Sequence, residues 1–213
     1  MNWFLFCFAT ATWGGSFIAI RFMLDGAPPF AAVGLRTFLA AVFMSALALQ
    51  KKAKLPRSGR TYAKMFVMGM VNFALPWACL FWAEQFVQPA VASILNSTSP
   101  LFVFLFSYWL LSDEPPTWLR FSGVIVGLLG IVFVYGPSIS GFSTEPRNFY
   151  GMLAITLMSV CYGLGAVWMK RLGTAVDIRW NIAFQCAATS VVLFSLNALF
   201  ERTDWVPTFL SRP

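Results

Sequence analysis

The polar side chains with the clearest chemical potential lie inside an apolar stretch, residues 88–111, which carries the run Asn96-Ser97-Thr98-Ser99-Pro100 near its middle. About 20 apolar residues span a bilayer core, so this stretch is long enough to be a membrane helix. Pro100 cannot donate a hydrogen bond to the carbonyl of Asn96, which predicts a kink. In lipid the freed carbonyl needs a hydroxyl, a neighbouring helix or water, so this face should line a solute path. At helical spacing the face comprises Ser93, Asn96, Ser97, Pro100, Phe104 and Ser107.

A second proline repeats this arrangement in the preceding apolar segment. Pro76 lies four residues after Asn72 and is followed by Trp77. Two proline-broken helices can present unwound backbone to a ligand, although proline also occurs in membrane helices for packing alone. We predict structural kinks at Pro76 and Pro100, and both interpretations of the neighbouring Asn72 and Trp77 stay open.

One cation, Arg36, lies deep inside an apolar segment. A charge at a helix centre costs about 2.5–3.5 kcal/mol on insertion scales, so this side chain should face the bundle and find a partner. It either contacts or gates an anion, or it clamps backbone carbonyls near a kinked helix. The two interpretations have different consequences, because only the first makes Arg36 part of a binding site.

Aromatic residues in the helices also have two interpretations. They could wall a pocket that stacks on an amphipathic metabolite or a cationic drug, or they could form the aromatic belt at the membrane interface. Trp82 and Trp168 lie near helix ends, which favours the belt, whereas the more deeply placed residues are Trp13, Trp77 and Tyr162.

The composition excludes most catalytic and metal chemistry. The chain has no histidine, and its four cysteines stand singly in apolar segments. Metal sites built on histidine and Ser–His or Cys–His dyads are therefore excluded. All carboxylates lie in gaps or at helix ends; only Glu84 could carry protons, and we do not expect carboxylate-driven proton coupling. We predict that the chain is not an enzyme and uses no cofactor and no metal.

The overall composition is that of an all-α integral membrane protein. Of 213 residues, 59% are hydrophobic and only 11% are charged, whereas soluble domains carry about 25% charge. The net charge of +7 comes from cations in short gaps between apolar runs, which indicates topology signals and no nucleic-acid partner. The sequence predicts seven membrane segments, at residues 3–23, 30–49, 64–82, 88–111, 119–135, 149–169 and 180–200.

The distribution of lysine and arginine predicts the orientation. Ten cations lie in the gaps on one side of the membrane, six of them between residues 51 and 64, and four lie on the other side. Because cytoplasmic loops are rich in these residues, the N-terminus should be cytoplasmic. The chain starts without a positive n-region, so we expect the first helix to be retained and not cleaved as a signal peptide.

A weak internal repeat predicts the architecture. With an offset of 149 residues, Trp13-Gly14 falls on Tyr162-Gly163, and Arg36 falls on Gln185. Five segments precede the second copy, so it would enter the membrane in the opposite sense, and inverted repeats are typical of secondary transporters. We predict a polytopic helix bundle with a five-helix module at residues 3–136 and the first two helices of an inverted second module at residues 149–200.

These residues resemble the drug/metabolite transporter superfamily, specifically its EamA-type module. The similarity lies in Trp13-Gly14-Gly15-Ser16-Phe17, in Leu35-Arg36, in the run 90–95, in Ser99-Pro100-Leu101-Phe102, and in Glu114, Gly123 and Gly130. The resemblance implies a ten-helix carrier with a central cavity formed by both modules. The chain departs from it in having Asp113 before Glu114 and in lacking segments eight to ten, so it looks truncated.

Together these observations predict a multi-pass carrier in the plasma or inner membrane that moves a small-molecule substrate, a metabolite or drug, by alternating access. Its partners are the lipid bilayer and the substrate, and a homodimer is one assembly it could form. Two alternatives stay open: a non-transporting fragment or half-carrier that needs a partner, and an intramembrane enzyme. The candidate substrate-binding residues are Trp13, Ser16, Arg36, Asn72, Trp77, Ser93, Asn96, Ser97 and Tyr162.

Overall fold

The structure is a computed structural model that describes residues 3–111, 117–135, 145–172 and 176–201. These residues form helices and connecting turns, with no strand among them. The helices in chain order are α1 (Trp3–Leu24), α2 (Pro29–Gln50), α3 (Gly59–Gly69), a π-helical turn (Met70–Ala74), α4 (Leu75–Ala83), α5 (Pro89–Asn96), α6 (Ser99–Leu110), α7 (Trp118–Tyr135), α8 (Pro146–Leu172) and α9 (Ile178–Phe200).

The predicted all-α membrane architecture is confirmed. Within the described parts of the chain, six helical units are long and apolar enough to cross a bilayer: Trp3–Leu24, Pro29–Gln50, Gly59–Ala83, Pro89–Leu110, Pro146–Lys170 and Ile178–Phe200. They correspond to six of the seven segments expected from the sequence. The fifth predicted segment forms α7.

Both prolines in the middle of segments coincide with irregular backbone. Because Pro76 has no N–H, the regular hydrogen bond to the Asn72 carbonyl is lost, and the π-helical turn lies directly before it, with the Leu75 N–H bonded to the Met70 carbonyl. Near Pro100 the helix is divided: α5 ends at Asn96 and α6 begins at Ser99. Each break lies within one membrane-spanning unit.

The core lies between residues of α1, α2, α4 and α5 and the last two helices, α8 and α9. α2 packs along α9, while α4 and α6 pack on α8. Small residues permit the closest approaches: a Cβ added to Gly69 would lie 2.9 Å from the carbonyl oxygen of Gln185. The Oγ of Ser190 donates to the carbonyl of Gly34 at 3.1 Å, so polar bonds also join α9 to α2.

A long-range cap fixes one end of α2. The Glu201 carboxylate accepts hydrogen bonds from the backbone N–H groups of Phe30 and Ala31 and from Asn197 Nδ2, at 2.8–3.3 Å. The first turn of a helix leaves its N–H groups without intrahelical partners, so this carboxylate stabilises the start of α2. It also ties the end of α9 to that start.

The glycines of α7 make no close contact with the other described helices. A Cβ added to Gly123, Gly127 or Gly130 would meet nothing within 4 Å. Asp113 and Glu114, which entered the family resemblance, lie outside the described residues, as does the predicted module end at residue 136.

Candidate functional site

Arg36 lies at the centre of the candidate site. Its guanidinium carbon is 4.6 Å from the centroid of the Trp77 ring, so the cation from α2 stacks on an aromatic face from α4. Among the described residues, no ion pair joins this guanidinium to a carboxylate, and its observed contact is this ring rather than a backbone carbonyl. No carboxylate of the described residues is therefore in direct contact with this cation, and Glu84 interacts with it only at longer range.

A hydrogen bond orients the aromatic partner. The Nε1–H of Trp77 donates to the hydroxyl oxygen of Tyr162 on α8. Indole and phenol groups that are shielded from water each need a hydrogen-bond partner, and this bond provides one for Trp77 and one for Tyr162. Trp77 lies three residues after the π-helical turn and contacts both Arg36 and Tyr162.

These side chains face a cavity of about 180 Å³, which we call the Arg36 cavity. Five helices contribute to it: α1, α2, α4, α5 and α8. Six of the nine candidate residues line it, namely Trp13, Ser16, Arg36, Trp77, Asn96 and Tyr162. The two aromatic residues paired by the 149-residue offset, Trp13 and Tyr162, therefore lie on the same cavity.

A larger open groove of about 1130 Å³ adjoins the cavity and shares Trp13, Asn96 and Tyr162 with it. We call it the side groove; it runs between α1, the α5–α6 break and α8. Ser93 and Ser97, two more of the candidate residues, line the side groove together with Ser99 and Pro100. Four of the five residues in the run 96–100 thus face an open groove between α1 and α8.

Hydroxyl groups satisfy the carbonyls at the α5–α6 break. The Oγ of Ser99 donates to the Asn96 carbonyl at 2.6 Å, and the Oγ of Ser97 donates to the Ile94 carbonyl at 2.5 Å. The Oγ of Ser159, on α8, donates to the Leu95 carbonyl at 3.1 Å. Because the hydroxyls serve as internal donors, the break persists without exposing free carbonyls to lipid.

Asn72, the remaining candidate, lies elsewhere. Its Nδ2 donates to Gln185 Oε1 at 3.1 Å, and Gln185 Nε2 in turn donates to Asn181 Oδ1 at 2.9 Å. Asn72 is not among the residues that line the two spaces. A Cβ added to Gly165 would overlap the Asn72 side chain, so this amide packs tightly between the π-helical turn, α8 and α9.

The other aromatic residues considered from the sequence lie outside both spaces. Trp82 is 40% exposed and packs edge-on against Phe86, with ring centroids 4.9 Å apart. Neither Trp82 nor Trp168 lines the Arg36 cavity or the side groove. Sequence reasoning missed Thr12 and Met158, which line the cavity, although Thr12 directly precedes Trp13 and could have been included on that ground.

The residues that line the Arg36 cavity offer groups that can bind a solute. Arg36 offers a cationic fork of N–H donors, and Trp13, Trp77 and Tyr162 offer aromatic faces, while hydroxyl and amide groups supply neutral hydrogen bonds. Among the lining residues of the cavity there is no carboxylate, histidine or cysteine. The arrangement suits reversible capture of a small amphipathic solute.

Comparison with known proteins places the chain in a family. The EamA-like transporter family matches residues 2–136. The uncharacterized transporter YoaV of Bacillus subtilis is 23% identical over 192 residues, which are 90% of this chain and 65% of YoaV. The uncharacterized inner membrane transporter YedA of Escherichia coli (strain K12) is 28% identical over 198 residues, covering 92% of this chain and 62% of YedA.

The fold is also similar to that of a known crystal structure. That structure superposes with a TM-score of 0.70 at 24% identity, covering 90% of this chain and 68% of its own. The chain spans slightly less than two thirds of the length of YoaV and YedA. Since the family match covers more than half of the sequence, the chain belongs to the EamA-like transporter family.

Proposed function

We propose that the chain is a secondary membrane transporter that moves a small amphipathic metabolite or drug by alternating access. The observation that supports this most strongly is the Arg36 guanidinium, which lies in a cavity between membrane-spanning helices and forms no ion pair with a carboxylate of the described residues. A charge in a membrane helix is costly unless it faces a water-filled cavity or finds a partner. A solute that brings its own negative group would supply that partner.

The chemistry of the cavity favours an organic anion with an aromatic or apolar body. Arg36 would pair with the negative group, while Trp13 and Trp77 would stack on the body of the solute. A cationic drug fits less well, since the guanidinium would repel it at close range. Asn96 and Ser16 add neutral donors and acceptors that could orient a polar substituent.

In this proposal, the two irregular helical units are the parts of the protein that move during transport. The π-helical turn before α4 and the break between α5 and α6 interrupt hydrogen-bond ladders that would otherwise be stiff. Both breaks lie beside residues that line the cavity. Small rotations of α4 or α5 at these points would open the Arg36 cavity toward one side of the membrane and close it toward the other.

The organisation of the chain belongs to the same proposal. Residues 3–136 form one five-helix module, and residues 149–200 begin a second one of inverted orientation, with a cytoplasmic N-terminus in the plasma or inner membrane. A homodimer would be one way for two copies to cooperate. The alternative is a half-carrier that does not transport solute without a partner, and it predicts no flux from the chain alone.

Three size-matched probes can test the proposed function in proteoliposomes that contain the purified chain. These probes are benzenesulfonate, which is always anionic, the neutral benzenesulfonamide, and the cationic benzyltrimethylammonium. Counterflow of labelled benzenesulfonate should exceed that of the other two, and Arg36→Gln should abolish the preference. Arg60→Gln is the matched control, since Arg60 is exposed in the first turn of α3.

Two outcomes would contradict the proposal. Absence of counterflow for every probe would refute autonomous transport and favour the half-carrier. Equal flux of the anionic and cationic probes, unchanged by Arg36→Gln, would refute the role given to the guanidinium. Binding of benzenesulfonate, followed by quenching of tryptophan fluorescence in detergent, separates loss of capture from loss of movement.

A further inference from the structure

Glu84 is a buried carboxyl group that the proposed solute site does not use. It follows the last residue of α4, one position beyond the membrane-spanning unit Gly59–Ala83. Its exposed fraction is 0%, and neither carboxyl oxygen accepts a hydrogen bond from any described residue. An ionised carboxylate without donors in an apolar setting is strongly disfavoured, so the geometry alone favours the neutral, protonated acid.

The surroundings of Glu84 are apolar on most sides. Ala83 and Val87, on either side of it in the chain, belong to the core cluster that also contains Val33 of α2 and Ile155 of α8. The only cation in the first turn of α8 is Arg147, which is exposed to solvent. The charges that act on Glu84 come from two other helices: Arg21 of α1 and Arg36 of α2.

Arg21 lies close to Glu84 but bonds to its main chain. The guanidinium of Arg21 donates to the backbone carbonyls of Glu84 and Gln85, the latter at 3.1 Å. This contact ties the end of α1 to the turn between α4 and α5. α1 buries only Phe17 and Ile20, so the Arg21 contact adds to a small set of contacts between this helix and the bundle.

Glu201 lies at the same end of the bundle, and its carboxylate is hydrogen-bonded, unlike the carboxyl group of Glu84. That carboxylate accepts hydrogen bonds from two backbone N–H groups and from Asn197. Arg21, Glu84 and Glu201 lie at the end of the bundle opposite to the basic loop at residues 51–60. We call this end the distal end. Two carboxyl groups at one end of the bundle thus have opposite environments.

The balance between burial and the two cations brings the titration of Glu84 near neutral pH. Burial raises the pKa of Glu84 to about 8, while Arg21 and, to a smaller extent, Arg36 act to lower it. At neutral pH the enclosed group therefore holds its proton. A modest opening of the distal end would admit water. The pKa of Glu84 would then fall toward its ordinary value, and the carboxyl group would release that proton.

We propose that Glu84 is a proton-binding site that couples proton release to opening of the distal end of the carrier. The proton leaves the carboxyl O–H for water at the opened end, and the resulting carboxylate takes over the Arg21 N–H groups that now bond to the carbonyls of Glu84 and Gln85. Arg21 thereby moves α1, which carries Trp13 and Ser16 on the wall of the Arg36 cavity. This coupling rests on the proposed transport function, whereas the proton site itself does not.

Infrared difference spectroscopy of the chain in lipid tests the proton site without any transport assay. The C=O stretch of a protonated carboxylic acid should be present at neutral pH and disappear with a midpoint near pH 8. Glu84→Gln should remove this band, while Glu201→Gln should leave it. Absence of the band at neutral pH, or its survival in Glu84→Gln, would overturn the proposal.

A second variant tests the site without altering Glu84. Arg21→Gln removes the nearer cation, so the midpoint of the carboxyl band should shift to higher pH. An unchanged midpoint would overturn the role given to Arg21. Since the wild-type chain and Arg21→Gln are sufficient for this comparison, a folding defect in Glu84→Gln would not block the test.

Proteoliposomes then test the coupling. A pH gradient should drive accumulation of benzenesulfonate by the wild type, and Glu84→Gln should lose this response relative to its own counterflow, unlike Glu201→Gln. Wild-type flux that ignores the gradient would overturn the coupling but leave the carrier intact. Absence of all flux would overturn the transport function, while the infrared band would still decide whether Glu84 binds a proton.

Discussion

Replacing Gly163 by alanine would place a methyl group where α8 crosses α6. The added Cβ would lie 2.5 Å from Phe102 Cβ, 2.7 Å from the Phe102 carbonyl carbon and 2.9 Å from the Val103 nitrogen. Ordinary contacts of this kind lie at 3.4–4 Å, so the helices would have to separate by roughly 1 Å, since backbone cannot move aside by changing a rotamer. Overpacking of this kind costs about 1–3 kcal/mol.

Gly14 provides a matched control for this substitution. It falls on Gly163 at the offset of 149 residues and also follows an aromatic residue, and a Cβ added there would meet nothing within 4 Å. Alanine is a better helix former than glycine by about 1 kcal/mol, and this gain applies to both positions. The difference between the two variants is therefore the packing cost alone, about 1–3 kcal/mol in favour of Gly14→Ala.

The assay is thermal unfolding in detergent, followed by intrinsic tryptophan fluorescence. For a chain of this length, a change of 1 kcal/mol shifts Tm by about 2–4 °C. We expect Gly14→Ala to match or exceed the wild-type Tm and Gly163→Ala to fall below it. Equal Tm values for the two variants would refute the close approach of α6 and α8 described here.

Three further predictions concern other parts of the chain. Since Glu84 keeps a proton in the folded chain that the unfolded chain releases above its ordinary pKa of 4.5, thermal stability should decline as pH rises from 4.5 toward about 8; a Glu84→Gln variant with the same pH profile would contradict this. Tyr162→Phe leaves the indole N–H of Trp77 without its acceptor and should cost about 1 kcal/mol, whereas the exposed control Tyr150→Phe should leave Tm unchanged. A cysteine introduced at Arg57 should react with an impermeant maleimide from the cytoplasmic side only, and reaction from outside would reverse the predicted orientation.

The sequence predicted the membrane fold well because its signals are local. Long apolar runs, the positions of Pro76 and Pro100, and the isolated Arg36 are all visible without tertiary information. The helix boundaries agree within a few residues for most segments. The residues chosen for the site largely meet at one cavity, because polar groups in a membrane helix have few other places to lie.

Features that depend on tertiary packing could not be predicted in this way. Gly14 and Gly163 share a motif, yet only Gly163 touches another helix. The Glu201 cap on α2 joins groups that are 170 residues apart in the chain. The sequence singles out Glu84 as the one carboxylate that could carry protons but does not predict proton coupling, and only the packing of α1, α2 and α8 around it reveals its burial.

The most direct test of the proposed solute path is the accessibility of the Arg36 cavity from each side of the membrane. Ser16→Cys places a thiol on the cavity wall, and Val126→Cys places one on the exposed face of α7, where Val126 is 67% exposed; both are made after the four native cysteines have been replaced. An impermeant maleimide added to oriented vesicles should label Ser16→Cys from both sides, and benzenesulfonate should slow the reaction, while Val126→Cys should react from neither side. Labelling of Ser16→Cys from one side only under all conditions, or from neither, would contradict a path that crosses the membrane through this cavity.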